Sequence, residues 1–367
     1  MLLIGPAIGA SKAQAALAGG AKIRDGHGMS GAQLDFDPAR LAPYLRARLP
    51  QLAGPMRVAR IGGGQSNPTY RLRFASGEVV LRKQPAGELL PSAHAVDREH
   101  RVMAALAATD VPVPRMLHLC EDRQVIGTLF YVMEALDGRV VHDSSIPGVT
   151  PAARAQMYDS MNDALARLHL VDWQAVGLTG FGRPGDYFAR QVSRWTRQWQ
   201  ASKTREIPEI DQLVAWLPAH LPAGDDETTI VHGDFRLGNL MFHPVEPRVI
   251  GILDWELSTL GHPLADLAHN CLLWHASRDM FYGVEELDQA ALGIPLEDDY
   301  VRRYCERAGR TDGLGTFHLA FAMFRFAVIF EGIAQRARIG TAAAADAEQV
   351  GRLSVDYARR AYALIRG

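Results

Sequence analysis

The chain has 367 residues, of which 48% are hydrophobic and 22% charged, a balance that suits a folded two-lobed enzyme or two ordinary domains rather than a disordered chain. Its net charge of −2 provides no overall field to attract nucleic acid or an acidic membrane, and neither is expected as a partner. The three cysteines, Cys120, Cys271 and Cys305, lie far apart without a CxxC pair, so neither a disulfide framework nor a zinc site is expected, and a reducing, cytoplasmic setting is.

In chain order, the first 33 residues open on a short apolar run without the basic flank of a secretory signal and read as a flexible leader. Residues 34–135 form the first unit. MRVARI (56–61) and TYRLRF (69–74) alternate as strands do, and a Ser76–Gly77 turn leads into VVLRK (79–83). An amphipathic helix is predicted from about Ser92, its N-cap, to Ala108, stopped by Pro112 and Pro114. RMLHLCE and GTLFYVME then supply a further strand pair. From residue 136 onward helices dominate, near 151–169, 186–202, 208–219, 263–277, 296–308, 315–338 and 342–365, interrupted only by strands near 240 and 250. The most apolar stretch, Phe317 to Ile333, carries His318, Arg325 and Glu331 and is expected to be a buried core helix too short of apolar residues to cross a bilayer. The expected architecture is α+β: a small antiparallel β lobe with one helix, joined near 133–137 to a larger helical lobe.

The most informative stretch is IVHGDFRLGNLMFHPVEPRVIGILDWE, residues 230–256. Two short apolar strands flank a proline-rich turn, so a hairpin holds His232, Asp234 and Asn239 beside Asp254. Oxygen ligands gathered in this way suit a hard cation such as Mg²⁺, and a carboxylate beside them can take a proton from an attacking hydroxyl. The order H-x-D-x-x-x-x-N, then a hairpin, then Asp, is that of a kinase catalytic loop and metal aspartate. VHGDFRLGNLMF and ILDWE resemble the aminoglycoside phosphotransferase and choline kinase group. That resemblance implies a protein-kinase-like fold, Asp234 as base, Asn239 and Asp254 as Mg²⁺ ligands and His232 as organiser of the loop. Arg236, within the loop, joins the catalytic candidates.

The first lobe offers a nucleotide clamp. Gly63, Gly64, Ser66 and Asn67 lie in IGGGQSNPTYRL (61–72), between two strands, where backbone N–H groups can cradle phosphate oxygens. VVLR aligns with the kinase pattern V-A-I-K, which puts Arg82 where a phosphate-binding lysine usually stands, with the adjacent Lys83 on the opposite face and held as the alternative. Glu99 falls within the apolar stripe Val96, Met103, Leu106 and needs a cation, for which the strand cation is the natural candidate. The hinge-like FYVMEALDG (130–138) offers Met133, Glu134 and Leu136 to an adenine edge.

Asp254 and Asp266 are too close to admit a protein kinase's activation segment, and Asp266 is expected to brace the catalytic loop. The helix DYFARQVSRWTRQWQ (186–200) sets Tyr187, Trp195 and Trp199 beside Arg190, Arg194 and Arg197, which suits an anionic acceptor but equally a helix with its aromatics in the core. LRKQPAGELLPSAHAVDREHRVMAAL (81–106) is similar to the kinase-like domain joined to certain acyl-CoA dehydrogenases, and that resemblance implies a hydroxyacyl-CoA acceptor. The expected function is ATP- and Mg²⁺-dependent phosphorylation of a hydroxyl on a small molecule. A nucleotide-binding scaffold without turnover is the alternative, as is an aminoglycoside-modifying kinase, against which the basic end DYARRAYALIRG argues.

Overall fold

The computed structural model describes residues 34–62, 67–87, 94–280, 283–339 and 347–367. The expected leader, Gly63, Gly64, Ser66 and Ser92 lie outside these residues.

The first lobe opens with helix α1 (Pro38–Arg48), which the sequence reading did not anticipate. It starts as helices commonly do, with the Asp37 carboxylate accepting the Ala39 N–H at 2.8 Å and Pro38 in the first turn. Strands β1 (Arg57–Arg60), β2 (Thr69–Phe74) and β3 (Gly77–Lys83) form a meander. Helix α2 (Val96–Leu106) intervenes before β4 (Met116–Cys120), a one-turn helix α3 (Arg123–Ile126) and β5 (Phe130–Glu134). Each neighbouring pair is antiparallel, in the order β1-β2-β3-β5-β4.

Alternation along β3 sorts its side chains. Val79 and Leu81 face the core that α1 covers, with Leu41, Leu45, Phe130 and Val132, and Lys83 follows them in parity. Arg82 therefore faces the side on which α2 packs. Helix α2 begins at Val96, with Ala95 before it giving no side-chain cap, so the helix starts about a turn later than expected.

The second lobe begins with a short strand β6 (Arg139–Val140), followed by helices α4 (Pro151–Leu170), α5 (Tyr187–Ser202) and α6 (Pro208–Ala219). Then come β7 (Thr229–Val231), β8 (Leu240–Phe242), β9 (Val249–Ile252), β10 (Thr259–Gly261), helix α7 (Pro263–Cys271) and the one-turn α8 (Gln289–Leu292). Helices α9 (Glu297–Ala308), α10 (Thr316–Arg338) and α11 (Ala347–Arg366) close the chain. The strands near 240 and 250 form the expected hairpin, but they are not alone: β6 extends it to three strands, and β7 pairs with β10. At two or three residues each, these extra strands are too short to show alternation in the sequence.

Helix α10 corrects one expectation, because by length and composition it is able to cross a membrane. It is nevertheless packed within the lobe, with Phe321, Phe324, Phe326 and Phe330 buried, each contributing about 2 kcal/mol relative to exposure. Its polar residues are partnered inside the protein. Glu331 is fully buried and accepts from Thr204 and from both Nε and Nη2 of Arg205, at 2.6 to 3.0 Å.

Candidate active site

The loop between β7 and β8 is fixed from three sides. From α7, the buried Asp266 carboxylate accepts the backbone N–H of His232 at 2.5 Å and that of Gly233 at 2.8 Å. Burial alone would raise the pKa of Asp266, but a hydrogen bond from His169 on α4, the charges nearby and the Gly233 donor outweigh it, so the group lies below the usual carboxylate range. Asp266 thus braces the loop, as expected. From α10, Arg325 donates to the Gly233 carbonyl at 2.6 Å. Just beyond β9, the Leu253 carbonyl accepts from His232 Nε2 at 2.9 Å, while His232 Nδ1 accepts the Asp234 N–H at 3.2 Å. Both ring nitrogens are thereby assigned, and burial lowers the pKa of His232 so that it stays neutral. His232 organises the loop and ties it to the residue before Asp254.

Asp234 is held at both oxygens. Oδ2 accepts from Asn239 Nδ2 at 2.7 Å; Oδ1 meets His269 Nε2 at 3.0 Å and Arg236 Nε at 3.3 Å. Neither His269 nor the role of Arg325 was anticipated. His269 lies on α7, 35 positions away, with no spacing signal, whereas Arg325 was visible as a charge on an apolar helix. Asn239 also donates to the Asp234 carbonyl at 2.8 Å, and its own carbonyl accepts the Leu253 N–H at 2.8 Å. That last bond, together with the Leu240–Ile252 pairing, seats Asp254 beside Asn239. Asp254 has a positive φ of 68°, a conformation that costs a non-glycine residue about 1 kcal/mol and recurs at functional sites.

Across the cleft, Arg82 reaches three carboxylates: Glu99 at 2.8 Å, Asp254 at 3.0 Å and Glu256 at 3.6 Å. Burial works against its charge, but Glu99 and Asp254 outweigh burial and raise its pKa. For Glu99, which also accepts from Asn67 at 2.6 Å and from Tyr131 at 3.0 Å, burial prevails over Arg82 and the pKa is raised. The structure separates the two cations of β3: Lys83 is buried on the other face and pairs with Asp35 at 2.6 Å. Asn67, grouped in the sequence with the phosphate-contacting residues, is buried; its amide nitrogen is bound to Glu99 and its oxygen lies 3.1 Å from His94 Nδ1. It therefore supports Glu99 from beneath rather than presenting a side chain to a phosphate.

At the hinge, Met133 lies within the sheet ladder, and Glu134 exchanges bonds with Arg115 through its backbone and its carboxylate. Leu136 lies beyond the ladder and packs over Gly251, where a Cβ would come within 2.5 Å of the leucine methyl. Leu136 thus lies against the hairpin that leads to Asp254.

The donor set suits Mg²⁺. Among the described residues no three His, Cys, Asp or Glu side chains are clustered as a dedicated metal site. The Asp254 carboxylate and the Asn239 amide are instead carried at one end of the β8–β9 hairpin, and a sparse oxygen set of this kind suits an ion that keeps water and takes further ligands from phosphates. Asp254 and Glu256 both lie against Arg82, so carboxylate oxygens on which a divalent cation can draw are gathered at one point.

A family model for the phosphotransferase enzyme family, APH, matches residues 57–312. The chain belongs to that family. It is 47% identical over 326 residues to mouse acyl-CoA dehydrogenase family member 10, covering 88% of this chain and 30% of the relative. It is 44% identical to rat acyl-CoA dehydrogenase family member 11, covering 86% of this chain and 41% of the relative. The chain thus spans between 30% and 41% of the length of these curated relatives. Among solved structures, a Ralstonia eutropha protein assigned to the aminoglycoside phosphotransferases is 48% identical with a TM-score of 0.84, covering 90% of this chain and 98% of that one. Aminoglycoside phosphotransferase APH(4)-Ia, solved with AMP-PNP and hygromycin B, has a TM-score of 0.58 at 16% identity, covering 87% and 98%, and shows the shared kinase-like fold.

Proposed function

We propose that the protein transfers the terminal phosphoryl group of Mg²⁺-bound ATP to a hydroxyl of a small molecule. The observation that carries this reading is the joint placement of Asp234, Asn239 and Asp254 by the Asn239–Leu253 backbone bond. Asp234 accepts the hydroxyl proton, oriented for that role by Asn239 and His269. Arg82, set by Glu99, meets the phosphates, although arginine departs from the usual lysine. Asn239 and Asp254 hold Mg²⁺, which when bound neutralises charge on the phosphates. Arg236 lines the acceptor side of the base, a cleft of about 50 Å³ walled by His142, Leu272, Phe326 and Tyr357.

The acyl-CoA dehydrogenase names of the relatives make a hydroxyacyl thioester one acceptor to try, and unpaired, mostly buried cysteines suit a cytoplasmic setting. The test is nucleotide consumption with Mg²⁺ across hydroxyacyl thioesters, amino alcohols, sugars and aminoglycosides, repeated in Asp234→Asn. Acceptor-dependent turnover that the variant abolishes while still binding nucleotide supports the proposal. Turnover surviving in the variant removes Asp234 as base, and absence of nucleotide binding in the wild type removes the kinase reading.

A further inference from the structure

Among the described residues, buried and half-buried arginines are mostly compensated within the protein. Arg82, Arg205, Arg307 and Arg310 each face a carboxylate, and Arg154, which has none, donates to the carbonyls of Ser145, Ile146, Val149 and Leu292. One group, between α5 and α10, breaks this rule. Arg190 and Arg194 project from α5, and Arg325 from α10 comes up beneath Trp195, its guanidinium carbon 5.6 Å from the indole centroid. The Arg194 guanidinium carbon is 5.8 Å from the same ring. Tyr187 senses all three cations, which oppose the rise that burial gives its phenol.

The protein partners of this group are few. Arg325 donates to the Gly233 carbonyl at 2.6 Å and Arg190 to the Arg183 carbonyl at 2.7 Å. Arg325 Nε, Arg190 Nη1 and Trp195 Nε1 are buried without a protein partner. Among the described residues no carboxylate lies within ion-pair distance of any of the three arginines. Asp266, the acid that acts on Tyr187 through space, already accepts two backbone N–H groups of the catalytic loop. Arg325 and Trp195 are more than nine-tenths buried, whereas Arg194 is exposed. The result is a cup with a cationic, donor-lined floor and an open cationic rim.

We propose that this cup is an anion-binding site beside the catalytic loop, taking the phosphate or carboxylate group of a small molecule. Three positive charges and three buried donors call for a ligand with several acceptor oxygens, and guanidinium groups match such oxygens in pairs. Arg325 links the cup to the residue before Asp234, so its occupancy bears on the position of the catalytic loop. The ligand is either the acidic end of the acceptor or a free anion that acts as effector.

The site stands whether or not the protein is a kinase, because its test is binding alone. The probe is inorganic phosphate, titrated without nucleotide or Mg²⁺ at ionic strength held constant with chloride, and followed by calorimetry and tryptophan fluorescence. Saturable binding is expected in the wild type and equally in Asp234→Asn and Arg82→Met. Arg194→Gln, an exposed position that makes no hydrogen bond within the protein, should fold normally and bind about tenfold more weakly. Trp195→Phe, which removes one of the buried donors, should lose the fluorescence response and bind more weakly by calorimetry. Absence of saturable binding in the wild type overturns the proposal, as does binding that Arg194→Gln leaves unchanged. Once an acceptor is known, phosphate that raises its KM assigns the cup to the acceptor's acidic end, and phosphate that alters kcat alone assigns it to an effector.

Discussion

Replacing Asp266 by Asn tests whether the catalytic loop is held from behind. In the wild type the carboxylate accepts two buried N–H groups, at 2.5 and 2.8 Å. Charge-assisted bonds of this kind each contribute about 1.5–3 kcal/mol. In Asp266→Asn the amide oxygen can keep one of them as a neutral bond, at a loss of about 1 kcal/mol, while the amide NH₂ turns toward the other N–H and leaves it unsatisfied, at about 1–3 kcal/mol. The expected destabilisation is therefore about 2–4 kcal/mol, within the roughly 5–15 kcal/mol that a folded domain has. Urea unfolding at pH 7 measures it. Displacement of the loop by about 1 Å should also lower turnover by about a hundredfold. The pH dependence gives a second check. Because the folded pKa of Asp266 lies below its unfolded value of about 3.9, its contribution is present above that pH and is lost as the pH falls through the folded value. The gap between wild type and variant should therefore narrow below about pH 4. A loss under about 1 kcal/mol with wild-type turnover would refute the brace.

The two cations of β3 should separate cleanly. Arg82→Met should weaken nucleotide binding by tenfold or more in calorimetry, whereas Lys83→Met should leave it unchanged and alter only urea stability, by about 1–2 kcal/mol, because its partner Asp35 can rehydrate. At Gly233, φ is +84° and a Cβ would lie 2.8 Å from the Leu257 carbonyl oxygen. Gly233→Ala should cost about 2–3 kcal/mol in urea unfolding and depress turnover, and normal stability would show that the loop has room to shift. Burial pushes His318 down to about 4 from an unfolded value near 6.5. Its folded state takes up a proton later than the unfolded chain, so stability should fall as pH drops from about 6.5 to 4, by up to about 3 kcal/mol. His318→Asn should remove about one proton from that slope.

What the sequence makes legible is what one short stretch of chain determines. His232, Asp234, Asn239 and Asp254 lie within one hairpin, so their spacing alone brings them together, and Glu99 betrays itself by interrupting an apolar stripe on α2. Strand alternation likewise sends Arg82 and Lys83 to opposite faces before any partner is known. Asn67 shows the limit. A polar residue after a run of glycines reads as a phosphate contact, and only the packing of α2 against the sheet shows that its amide is taken by Glu99. His269 and Arg325 lie further still from the motif and reach the loop across helix packing, His269 at Asp234 and Arg325 at Gly233. Their meaning depends on which helix faces which, and so does the sharpest distinction in the second lobe. Arg325 and Glu331 occupy one apolar helix and look alike as interruptions, yet Glu331 meets Arg205 while Arg325 meets no acid. A charge in a core helix therefore signals that a partner is required, and only the fold tells whether the protein already supplies it or leaves it for a ligand.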